Sequence, residues 1–107
     1  MNRDKNLPLT ETAYYVLLAV KEAAHGYVIM QKVEELSDGQ VRLAAGTLYG
    51  AVDNLLSKGL IISIPSEDVR RKVYAISEKG EQILRADYQR MAHMMSVTDM
   101  ILERGTK

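Results

Sequence analysis

The sequence predicts a mainly α fold with one small β-hairpin, and three observations predict it. Helical periodicity runs through three short segments before residue 60, each closed by a glycine. Apolar spacing then drops to two between residues 60 and 76, and helical spacing returns at Ser77 and holds to Gly105. A chain of 107 residues makes one small unit, which buries roughly two thirds of its unfolded surface. Its core contains neither Phe nor Trp, so Leu, Ile, Val and Ala must fill it with help from six Met and six Tyr.

The first helical segment is TETAYYVLLAVKEAA, residues 10–24. Thr10 suits the N-cap, and Ala13, Val16, Leu17, Val20 and Ala24 recur at helical spacing. His25-Gly26 is expected to close it, because glycine tolerates the left-handed position after a helix. The second segment, YVIMQKVEELSDG at 27–39, sets Tyr27, Met30, Val33 and Leu36 against Gln31, Lys32, Glu34 and Glu35. Ser37-Asp38-Gly39 stops it. The third runs over 45–58, with Leu48, Val52, Leu55 and Leu56 as its buried stripe and Gly59 as its stop. Its other side carries Thr47, Gly50, Asp53, Asn54 and Ser57, a small polar face without the Glu/Lys cover of an ordinary surface helix.

Leu60, Ile62 and Ile64 then alternate with Ile61 and Ser63, and Tyr74 and Ile76 alternate with Val73 and Ala75. Pro65-Ser66-Glu67-Asp68 is turn-forming, so the two runs make a β-hairpin whose tip carries Arg70-Arg71-Lys72. Ser77 caps the last segment and Gly105 ends it before a frayed tail, giving a helix roughly 40 Å long at about 1.5 Å per residue. Leu84, Tyr88, Met91, Met95, Thr98 and Leu102 follow a heptad seam, with Met94, Val97 and Ile101 alongside. One small domain cannot cover that much apolar surface, so the helix is expected to pack against another subunit.

Composition narrows the function. There is no cysteine, hence neither a disulfide framework nor a Cys-ligated zinc site. The charged start MNRDKNLPLT is no signal peptide, and no run reaches the ~18 apolar residues of a membrane span. A soluble cytoplasmic protein is expected. No phosphate loop, paired-histidine motif or nucleophile triad signature occurs, so neither catalysis nor a cofactor is expected. His93 beside Met94-Met95 lacks a second ligand, and no metal site is read there.

Three helices followed by a hairpin is the order of a winged helix-turn-helix. That fold lays its third helix in a DNA major groove and its hairpin against the backbone or minor groove. Residues 1–76 form the expected DNA-binding domain and 77–107 a long C-terminal dimerisation helix. Gly46 and Gly50 give the third helix a close-approach front, while Thr47, Tyr49, Asn54 and Ser57 supply groups that reach phosphates or base edges. Arg70, Arg71 and Lys72 serve as a phosphate clamp on this reading, and as a solvated turn on the plainer one.

Three segments carry a family resemblance: HGYVIMQKV (25–33), GTLYGAVDNLLSKGLI (46–61) and RRKVYAISEKG (70–80). With a G-Y-x-I second helix, a G-T-L-Y third helix, an R-x-Y wing strand and a following T/S-E-x-G, the chain resembles the short branch of the PadR family of bacterial transcriptional regulators. The resemblance implies a homodimer on an inverted-repeat operator in double-stranded DNA, repressing its own or a neighbouring gene. It implies that Thr47 and Tyr49 contact the DNA backbone, and that the wing does so through Arg70, Arg71 and Lys72. The chain departs from the pattern in having Ala44-Ala45 for Ser-Pro, Gly50 for a proline, no arginine around Asn54, and Asp68-Val69-Arg70 for a Gly-Gly-Arg wing tip.

Two questions stay open at this level. Tyr88, Met91, Met94 and Met95 either fill an adaptable dimer seam or line a flexible pocket for a flat, apolar effector. Zero net charge, from 14 basic and 14 acidic residues, also leaves room for a winged-helix protein-interaction adaptor without specific DNA binding.

Overall fold

The computed structural model describes residues 3–68 and 70–105, with residues 104 and 105 described by backbone alone. Val69 of the expected wing tip and the tail beyond Gly105 lie outside the described residues. The elements run α1 (Glu11–Ala19), β1 (Ala24–His25), α2 (Gly26–Leu36), α3 (Ala45–Ser57), β2 (Ile61–Ile64), β3 (Val73–Ile76) and α4 (Glu78–Gly105). The architecture is mainly α with a small β wing and a long last helix, as the periodicities predict.

Thr10 caps α1, its hydroxyl accepting the Ala13 N–H at 3.0 Å. Caps of this kind stabilise a helix by about 1 kcal/mol. The helix is nonetheless shorter than expected, ending at Ala19 instead of Ala24. The chain turns, and Ala24–His25 pairs antiparallel with β3, Ala24 opposite Tyr74 and His25 opposite Val73. The Val20 carbonyl, freed from the helix, accepts the Ile76 N–H at 2.9 Å. The hairpin therefore becomes a three-stranded sheet in the order β1-β3-β2. Helical spacing misled here because Val20 and Ala24 are both buried, but from different elements.

His25-Gly26 consequently does not close α1. Gly26 is the buried first residue of α2, and among the described glycines Gly39 and Gly59 hold the positive φ angles, at 77° and 73°. These two end α2 and α3 as expected. The inward stripe of α2 is Gly26, Ile29 and Val33, whereas Tyr27 and Leu36, expected to face inward, are exposed. Both stripes satisfy helical spacing, and packing of Ile29 in the common core selects between them. In α3, Leu48, Val52 and Leu55 are buried as expected.

The start of α4 is tied to the end of α3 by several bonds. Ser77 Oγ accepts the Gly80 N–H at 2.9 Å and donates to the Gly59 carbonyl at 2.6 Å, while the Ser77 N–H donates to the Leu60 carbonyl at 3.0 Å. A Cβ at Gly80 would fall 2.0 Å from that same Leu60 oxygen, so the glycine of the S-E-x-G motif permits backbone contact that no other residue allows. Ile83 and Asp87 are buried, and Lys21 pairs with Glu81. The inward stripe of the first half of α4 is thus Gly80, Ile83 and Asp87, and Tyr88 of the expected intersubunit seam is exposed in the single chain. Beyond Met91 the described side chains of α4 are all exposed, and the molecule extends 60 Å along its long axis.

Candidate nucleic-acid interface

Burial of Leu48, Val52 and Leu55 fixes which side of α3 faces outward. Gly46, Gly50, Asp53 and Ser57 follow at spacings of four, three and four residues and occupy the opposite side. All four are exposed. A Cβ at Gly46 or Gly50 would meet nothing within 4 Å, so nothing inside the molecule requires either to be glycine. Exposed Thr47 and Asn54 flank this strip on one side, and Tyr49, 49% exposed, flanks it on the other. Ala44 stands at the N-cap without a side-chain bond, as the missing Ser-Pro implies. The Ser57 hydroxyl donates to the Asn54 carbonyl at 2.8 Å.

Tyr49 is neither a core residue nor a free one. Its hydroxyl lies against the first turn of α2, where a Cβ at Gly26 would approach Tyr49 Oη to 2.7 Å and Leu48 Cδ2 to 3.4 Å. The glycine of the H-G-Y segment thus makes room for the tyrosine of G-T-L-Y, and two motifs resolve into one packing contact. Tyr49 also bears on the wing. Burial first, then the neighbouring Tyr49 and Asp53, raise the Tyr74 pKa above its ordinary value.

At the hairpin tip, the Asp68 carboxylate accepts the Arg70 backbone N–H at 3.0 Å. It also pairs with Arg70 Nε at 3.6 Å and Arg71 Nε at 3.9 Å. The Arg70, Arg71 and Lys72 side chains remain exposed. Exposed ion pairs of this sort are worth little, so Asp68 shapes the loop without locking its cations. The structure thus places Thr47, Tyr49, Gly50 and Asn54 together on α3, and Arg70, Arg71 and Lys72 together at the tip of the wing.

On α4, Tyr88, Met91 and Met95 border one shallow groove with Ser96 and Met100. Met94 is not part of it; its sulfur accepts from Arg90 Nη1 at 3.6 Å. A neighbouring concavity between α1 and α4 is lined by Tyr14, Leu18, Asp87 and Met91. Asp87 is 1% exposed and takes Arg90 Nε at 2.6 Å. Burial, then Asp87 and Tyr88, raise the Tyr14 pKa. Sequence reading passed over Asp87, for which the only local signal was Arg90 at i+3.

A short three-helix unit with a three-stranded wing, an open small-residue third helix and a projecting last helix is a winged helix-turn-helix protein. The model of the Transcriptional regulator PadR-like family matches residues 16–86, and the chain belongs to this family of DNA-binding regulators. It is similar to a PadR family transcription regulator from hypervirulent Clostridium difficile, with 26% identity and a TM-score of 0.73 over 87% of this chain and 99% of that one. A PadR family regulator from Eggerthella lenta is 27% identical, with a TM-score of 0.69 over 85% of this chain and 80% of that one. H. salinarum RosR, 22% identical with a TM-score of 0.70 over 95% and 98%, shares the fold. No curated protein sequence matches the chain. No helix among the described residues is long and apolar enough to cross a membrane.

Proposed function

We propose that the protein is a sequence-specific DNA-binding repressor of the bacterial cytoplasm that acts as a homodimer and catalyses no reaction. Residues 1–76 bind DNA and 77–107 pair the subunits. The observation that carries this reading is the open front of α3, where Gly46 and Gly50 have no neighbour within 4 Å of a Cβ and stand beside exposed Thr47, Tyr49 and Asn54. Such a front lets a helix backbone approach the floor of a major groove. Arg70, Arg71 and Lys72 then neutralise flanking phosphates.

Dimerisation through α4 covers its exposed apolar residues and presents two copies of α3 to an inverted-repeat operator. A small apolar effector seated in the groove of Tyr88, Met91 and Met95 at the subunit interface, with Met94 outside the groove, releases the DNA. A thermal-shift screen with planar phenolic and cationic compounds checks the effector; no shift across the panel leaves these residues as a plain seam.

Zero net charge favours a second reading, a protein-interaction adaptor. Hydroxyl-radical footprinting on DNA upstream of the protein's own gene separates the two. The repressor protects two patches about one helical turn, ~10 base pairs, apart. The adaptor leaves no footprint.

A further inference from the structure

An acid stands where a DNA-reading helix projects furthest. The outermost strip of α3 consists of Gly46, Gly50, Asp53 and Ser57. Glycine has no side chain and serine a short one, so Asp53 reaches further from the helix axis than any other group on the strip. It is exposed, and among the described residues no cation pairs with it. Behind burial and Tyr49, Asp53 helps to raise the pKa of Tyr74. A carboxylate facing phosphates without compensation weakens binding to every sequence. It becomes favourable only where it accepts a hydrogen bond from a base.

Resting on the DNA-binding reading above, we infer that Asp53 is a specificity-determining residue that accepts a hydrogen bond from the exocyclic amino group of a cytosine in each operator half-site. Two base types offer an amino donor in the major groove, cytosine at N4 and adenine at N6. Adenine sets the N7 acceptor beside its amino group, and that lone pair repels a carboxylate. Cytosine sets a C–H there instead. Thymine and guanine present carbonyl acceptors and are rejected. Asp53 thus converts a general electrostatic penalty into discrimination, and the clearance at Gly50 brings its short side chain within reach.

The test is selection from a randomised duplex pool by the full chain, followed by sequencing, for the wild type, Asp53→Ala and Asp53→Asn. Asp53 is exposed, so both variants fold. The wild type is expected to enrich cytosine at one position of each half-site, and a cytosine-to-thymine change there should weaken its binding on the order of tenfold. Asp53→Ala should lose preference at that position alone and bind non-specific DNA more tightly. Asp53→Asn should shift the preference to adenine. Unchanged base preference at every position in Asp53→Ala overturns the inference while leaving the DNA-binding reading intact. Failure of the wild type to enrich any sequence overturns both.

Discussion

Gly50 sits inside α3 with open space around the position of a Cβ. A mid-helix glycine lowers stability by roughly 0.5–1 kcal/mol relative to alanine, and no contact within the molecule offsets that loss. Gly50→Ala is therefore expected to raise the unfolding free energy by about that amount in urea titration, and to weaken operator binding. A stabilised variant with unchanged affinity would show that no close approach is needed there. Tyr74 gives a second residue-level test. Burial, then Tyr49 and Asp53, raise its pKa above 10.0, so the folded state holds the phenolic proton more tightly than the unfolded chain does. This contribution to stability is fully present below about pH 10 and is lost as pH rises through the higher folded value. Tyr74→Phe should flatten the alkaline decline of stability above pH 10, measured by denaturant midpoints across that range; an unaltered decline would assign it to other groups.

At the scale of elements, the wing and α3 divide the work between phosphate and base. Replacing Arg70, Arg71 and Lys72 together by Ala should weaken binding about equally for operator and unrelated DNA. It should also lower the log–log salt slope by up to about three, leaving base preference unchanged. Selective loss of operator binding would instead place these residues at base edges. Elements with local signals were legible in the sequence: Thr10 and Ser77 cap α1 and α4, Gly39 and Gly59 end α2 and α3, and Leu48, Val52 and Leu55 mark the back of α3. The end of α1 was not, because Ala24–His25 becomes a strand only through its pairing with distant Val73 and Tyr74. The same holds for the site. Its residues stood out by composition and family pattern, but the seating of Tyr49 on Gly26 and the burial of Asp87 against α1 are tertiary contacts, the first with no local trace and the second with only Arg90 at i+3.

For the whole molecule, half of α4 projects from a small core and presents Met94, Met95, Val97, Met100, Ile101 and Leu102 to solvent. Contiguous apolar surface of this kind marks an interaction site. Met95→Asp with Leu102→Asp should turn a dimer into a monomer by light scattering, with the winged-helix core still folded and operator affinity sharply reduced. A wild type that is already monomeric would remove the two-fold arrangement. Two copies of α3 that read DNA while the wings hold its phosphates should show both contributions in one salt titration. Affinity for DNA upstream of the protein's own gene and for a scrambled duplex of equal length is measured from low to high salt. Both should fall with a steep log–log slope, near 0.9 for each phosphate neutralised, and the native sequence should bind more tightly throughout. Equal affinity for the two duplexes, or binding indifferent to salt, would contradict it.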